Sequence, residues 1–157
     1  MSRLTQRLFP TAGLVVAIFA SIIAVCAWRG ERLLAEGLAA QHRGHLDAAA
    51  VAYRAASGCG NADAAAERAR LEMLRRDWAG ALGSLREAKA FAPTRGLPHV
   101  LQAQFDLDVP GPWDDAREER VLGSCKIATD LEPNRALIRR ECDLITLSLK
   151  ALRRQKN

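Results

Sequence analysis

The side chains able to do chemistry are few. His42 and His45 stand three apart in "GLAAQHRGHLDAAAVAYRAA", residues 37–56. Two imidazoles at that spacing can chelate a metal, but no third ligand follows at a fixed interval, and the His-Glu-x-x-His pattern is absent. The pair therefore reads as the rim of a turn, with no metal expected. His99 is alone beside Pro98. Asp114–Asp115 and Glu118–Glu119 open an expected helix, where carboxylates complement the N-terminal dipole. Cys26, Cys59, Cys125 and Cys142 form no C-x-x-C pair, haem attachment or zinc-ribbon spacing. Cys59 lies in the loop "SGCGNAD" with no base placed beside it. A P-loop, a Gly-x-Gly-x-x-Gly run and a nucleophile elbow do not occur. The sequence thus predicts no catalytic residue and no cofactor, and the reading is non-enzymatic.

The elements that position these residues are helical. Hydrophobic residues make up 49 % of the 157, yet aromatics only 5 %, and alanine carries much of the apolar share. Small side chains let helices approach closely, and Ala, Leu, Arg and Glu are good helix formers. Outside the N-terminal region, period-two runs of Val, Ile and Thr are missing. The expected class is all-α. The net charge is +5, with both signs interspersed, so a nucleic-acid partner is not expected. Lys150, Arg153, Arg154 and Lys156 cluster at the end. They suit either a solvated helix terminus or a contact with a partner or lipid headgroup.

Residues 8–28, "LFPTAGLVVAIFASIIAVCAW", carry no charge. As a helix this run extends roughly 32 Å, enough to cross a hydrocarbon core. Trp28 would suit the far interface. The reading is a single transmembrane helix after a short tail, residues 1–7. A signal peptide cut before Trp28 and lipidation of Cys26 are the alternatives. Arg3 and Arg7 favour an N-terminus inside, and the arginine- and alanine-rich composition suggests a bacterial source. The expectation is a single-pass inner-membrane protein with a periplasmic domain.

From Glu31 onward the pattern is amphipathic helices with short breaks. Gly37, Ala69 and Ala103 recur at spacings of 32 and 34, and Ala49 and Ala81 lie 32 apart. Tyr53 aligns with Leu85, Ala56 with Ala88, and "RGHLDAA" (43–49) with "RRDWAGA" (75–81). Pro93 and Pro133 close the second and third units. This pattern resembles the tetratricopeptide repeat, a helix–turn–helix unit of about 34 residues. The first unit matches at Gly37, Gly44, Ala49, Tyr53 and Ala56, and the second at Ala69, Trp78, Ala81, Ala88 and Pro93. Leu33 stands where tryptophan is usual, and the third unit, with its "VPGPW" loop, diverges most. Repeats are expected over residues 29–133. A last helix and basic tail over 134–157 would cap the stack, through a stripe of Leu137, Cys142, Leu144, Ile145, Leu149 and Leu152.

The resemblance implies a concave groove lined by the first helix of each unit. By alignment its residues are Leu34, Leu38 and Gln41, then Ala66, Arg70 and Met73, then Val100, Gln104 and Leu107. The branch of the family that clamps a chaperone's terminal carboxylate needs Lys and Asn where Leu34 and Leu38 stand. An apolar or helical protein segment is the expected ligand. Cys125 and Cys142 flank the turn at Pro133 on opposite sides, so an antiparallel helix pair would bring them together, as a disulfide or as two buried thiols. The reading is a membrane-anchored protein-binding scaffold, an accessory or assembly subunit of a bacterial envelope complex; the alternative is a soluble periplasmic module released by signal cleavage.

Overall fold

A computed structural model describes the backbone of residues 5–156 and the side chains of residues 15–154. The chain forms α1 (Thr5–His42), α2 (Leu46–Ser57), α3 (Ala62–Leu74), α4 (Trp78–Phe91), α5 (Leu97–Asp108), α6 (Asp115–Leu131) and α7 (Ala136–Lys156). The class is all-α.

Each hairpin begins from local signals. Gly44 adopts φ 79°, a left-handed conformation that costs glycine little, and so reverses the chain between α1 and α2. Asn61, Asp77 and Asp114 accept hydrogen bonds from the backbone N–H groups of Ala64, Gly80 and Arg117, at 2.9, 3.0 and 2.7 Å. These caps satisfy donors that a helix start leaves open. Pro98 sits in the first turn of α5, where its missing N–H does no harm.

The helices pair as α1 with α2, α3 with α4 and α5 with α6. Successive first helices touch, α1 to α3 and α3 to α5, while no comparable contact joins α2 to α4 or α4 to α6. A stack that is closer in one layer curves toward that layer. The interior is built from small residues: Ala49, Ala56, Ala65, Ala66, Ala69, Ala81, Ala88 and Ala103 have no exposed surface. Larger groups fill the gaps between them. Tyr53 and Leu71 lie between the first two units, Leu85, Leu101 and Phe105 between the next two. Trp78 meets Phe105 edge-on, with ring centroids 6.0 Å apart.

The helix α7 packs on α5 and α6. Its buried face is Ile138, Cys142, Ile145 and Leu149, which recur at intervals of three and four residues and so share one side. Leu137 and Leu144, expected on that stripe, point outward and are each 49 % exposed. The apolar surface of α7 is wider than the face it buries, and α5 and α6 take the Ile138 side of it.

The expected transmembrane helix of residues 8–28 is corrected. Among the described residues, no helix is long and apolar enough to cross a membrane. Residues 8–14 of the expected span lie outside the described side chains. The described apolar part, residues 15–28, extends only about 21 Å at helical rise, against a hydrocarbon core of about 30 Å. Beyond Trp28 the same helix continues without a break through Arg29, Glu31 and Arg32 into the first repeat hairpin. The single-pass inner-membrane placement rested on that span and is withdrawn with it.

Candidate functional site

The site begins at Tyr53. The ring is fully buried, and it fits because Gly37 faces it without a side chain: a Cβ on Gly37 would lie 2.5 Å from Tyr53 Cε1. Its hydroxyl emerges between helices and donates to Gln41 Oε1 at 2.6 Å. Burial pushes the Tyr53 phenol up to about 12, helped by the charge on Glu67 and opposed by Arg70. Arg70 pairs with Glu67 one turn back on α3, Nη1 to Oε1 3.2 Å. Gln41 from α1, Tyr53 from α2 and the Glu67–Arg70 pair from α3 therefore meet at the seam of the first two units.

The other groove candidates divide by burial. Leu38 is 36 % exposed, and Leu34 is half-buried against Tyr53 and Leu71. Gln104 is half-buried near Asp108, whose carboxyl is raised chiefly by burial, against a lowering influence of the Gln104 amide. Leu107 is half-buried and lines a cavity of about 330 Å³ with Val109, Trp113 and Leu152. Ala66, Met73 and Val100, in contrast, lie in the interior at 0, 8 and 2 % exposure. They pack helix on helix, and in this arrangement no ligand reaches them without a helix shifting.

His42 ends α1, and His45 sits at the N-cap of α2 with no capping side-chain bond. Both are exposed. Among the described residues, no group of three or more His, Cys, Asp and Glu side chains could hold a metal ion. All four cysteines are free thiols. Cys125 and Cys142 are buried side by side, and the Cys142 thiol donates to the Cys125 carbonyl oxygen at 3.6 Å. Burial pushes both thiols above their ordinary range.

Arg117 organises the turn between α5 and α6. Arg117 is 6 % exposed, and its guanidinium donates to a ring of backbone carbonyls. They belong to Asp106 at 2.5 Å, Leu107 at 3.2 Å, Val109, Gly111 at 3.2 Å and Pro112 at 3.4 Å. It also lies over the Trp113 ring, 4.9 Å from the centroid. The cation thus closes the C-terminus of α5, where a positive charge complements the negative end of the dipole, and folds the "VPGPW" loop around itself. Within "DDAREER" it reads as one more solvated arginine; only the carbonyls converging from another helix and loop distinguish it.

No protein-family model matches the sequence, and no curated protein matches it. Solved structures do match its fold. The first tetratricopeptide-repeat domain of Spaghetti (RPAP3), solved bound to an HSP90 peptide, is similar with a TM-score of 0.64 and 17 % identity. That likeness covers 79 % of this chain and 98 % of that one. The Arabidopsis OM64 tetratricopeptide-repeat domain has a TM-score of 0.60 at 15 % identity, covering 76 % and 96 %. The fold is a tetratricopeptide-like helical repeat.

Proposed function

We propose that this chain is a non-enzymatic protein-binding module that holds an apolar or helical segment of a partner against α1, α3 and α5. The observation that carries the reading is the layer of first helices in mutual contact, with Leu38, Gln41, Arg70, Gln104 and Leu107 retaining accessible surface on it. Supporting it is the likeness to repeat domains, one of them solved with a peptide. In this reading residues 29–133 are the repeat body and 134–157 the cap. The mixed lining, two leucines with two amides and one guanidinium, suits an amphipathic helix better than a charged tail. In this reading the chain serves as an accessory or assembly subunit of its partner's complex.

Titration of the full chain into labelled amphipathic helical peptides, followed by fluorescence anisotropy, tests the reading. Saturable binding is expected. Leu38→Asp and Arg70→Glu should each weaken it about tenfold, a change of about 1.4 kcal/mol, while leaving the helical circular dichroism unchanged. Absence of saturable binding, or binding by both variants as tight as by the parent chain, would refute it.

A further inference from the structure

The four cysteines are not four isolated thiols. Cys125 and Cys142 meet in the interior, and Cys26 and Cys59 meet nearer the surface, where both are half-buried. Cys26 lies on α1 and Cys59 in the turn between α2 and α3, 33 residues later. The contact is built into the packing. Gly30, one helical turn beyond Cys26, is buried beneath that turn: a Cβ placed on it would sit 3.3 Å from the Cys59 Cβ. Gly30 thus lets the turn settle on α1 within one helical turn of Cys26. The turn is held by its own hydrogen bonds, Cys59 N–H to the Ala56 carbonyl at 3.0 Å and Gly60 N–H to that of Ser57 at 2.8 Å. The Cys26 side chain is the first cause that raises the Cys59 thiol above its ordinary value. Both cysteines line one cavity of about 380 Å³, together with Ile22, Val25 and Arg29.

We propose that Cys26 and Cys59 are a redox-active dithiol, oxidised by small-molecule disulfides to an intramolecular disulfide that fastens α1 to the α2–α3 turn. The thiolate of either residue attacks one sulfur of the small disulfide. A protein–small-molecule mixed disulfide forms, and one small thiolate leaves. The second cysteine, as thiolate, attacks the protein sulfur of the mixed disulfide; the Cys26–Cys59 bond forms, and the second small thiolate leaves. The two protons lost by the cysteines pass to the two departing thiolates. The protein is oxidised by two electrons and the disulfide is reduced to two thiols. Side chains that line one cavity need only a local approach to reach a sulfur–sulfur bond of about 2.05 Å. The Arg29 guanidinium in the same cavity favours the attacking thiolate of Cys59, although the Cys26 contact and burial hold that thiol above its ordinary value. The Cys125–Cys142 pair lacks access to an external disulfide, so the two pairs respond differently.

The test treats the folded full chain with oxidised glutathione, alkylates the remaining thiols and digests with trypsin. Arginines at 7, 29, 54 and 68 release Cys26 in fragment 8–29 and Cys59 in fragment 55–68. The expected product is these two fragments joined, with loss of two alkylatable thiols that dithiothreitol restores. In Cys26→Ser, Cys59 should stop at the mixed disulfide and carry one glutathione. If Cys26 and Cys59 of the unaltered chain both remain alkylatable, or end as separate glutathione adducts, the proposal is wrong.

Discussion

Gly37 on α1 lies against the ring of Tyr53 on α2, so closely that even a methyl group has no room: its carbon would come within 2.5 Å of Cε1 and 2.7 Å of Cδ1. This pair sets the distance between the helices of the first hairpin. Gly37→Ala should push the ring outward and cost about 1–3 kcal/mol, the usual range for overpacking. Tyr53→Ala errs in the other direction and should cost about 3–5 kcal/mol, as a large aromatic truncated in a core does. Urea unfolding followed by circular dichroism gives both values; an unchanged midpoint for Gly37→Ala would show that the hairpin yields freely.

The same tyrosine predicts an alkaline limit. Its phenol is pushed up to about 12 in the fold, whereas an unfolded tyrosine titrates near ~10. The folded state therefore favours the neutral phenol. That contribution is fully present below about pH 10 and is lost as pH rises through the folded value. Tyr53→Phe has no proton to lose there, so the stability gap between parent and variant should narrow from pH 9 to pH 12, by an amount that denaturant titrations at each pH can read.

Arg117→Met keeps the length of the side chain and deletes its donors. The carbonyls of Asp106, Leu107, Val109, Gly111 and Pro112 then lose a shared partner. Buried acceptors left unsatisfied cost about 1–3 kcal/mol each where water cannot replace the donor. A total loss of about 3 kcal/mol is expected, with hydrogen exchange rising first in residues 106–114. Arg117→Lys should recover little, because an ammonium cannot span a ring of acceptors as a planar guanidinium does.

The interior cysteines should react slowly. Burial raises the thiols of Cys125 and Cys142, and only the thiolate is nucleophilic. Iodoacetamide at pH 8 should label fragments 121–126 and 141–150 at least tenfold more slowly in the folded chain than in urea. Equal rates in both conditions would place these thiols in contact with solvent.

Much of this architecture is legible along the chain. Gly37, Ala69 and Ala103 recur because each lies where two helices cross, and all three positions need a small residue for the same reason. Asp114–Asp115 announces a helix start, and Gly44 the first reversal. The groove candidates are less legible. Leu38 and Met73 look alike as apolar residues on first helices, yet one keeps exposed surface and the other is covered by its neighbours in the core around Leu85 and Phe105. Residues 15–28 look like part of a membrane span by composition, but the helix they belong to runs on into a charged repeat, and its described apolar length is too short.

By itself the sequence determined the all-helical class, the repeat spacing and the first turn, since these depend on recurring residue types and on residues within a few positions of one another. Tertiary structure alone decided which faces were covered, which thiols met and where Arg117 pointed. Those outcomes depend on contacts between helices far apart in sequence: Cys26 with Cys59, Arg117 with the end of α5, Ile138 rather than Leu137 against α6. A periodic pattern specifies a face of each helix, but only packing against the neighbouring helices decides how much of that face is removed from water.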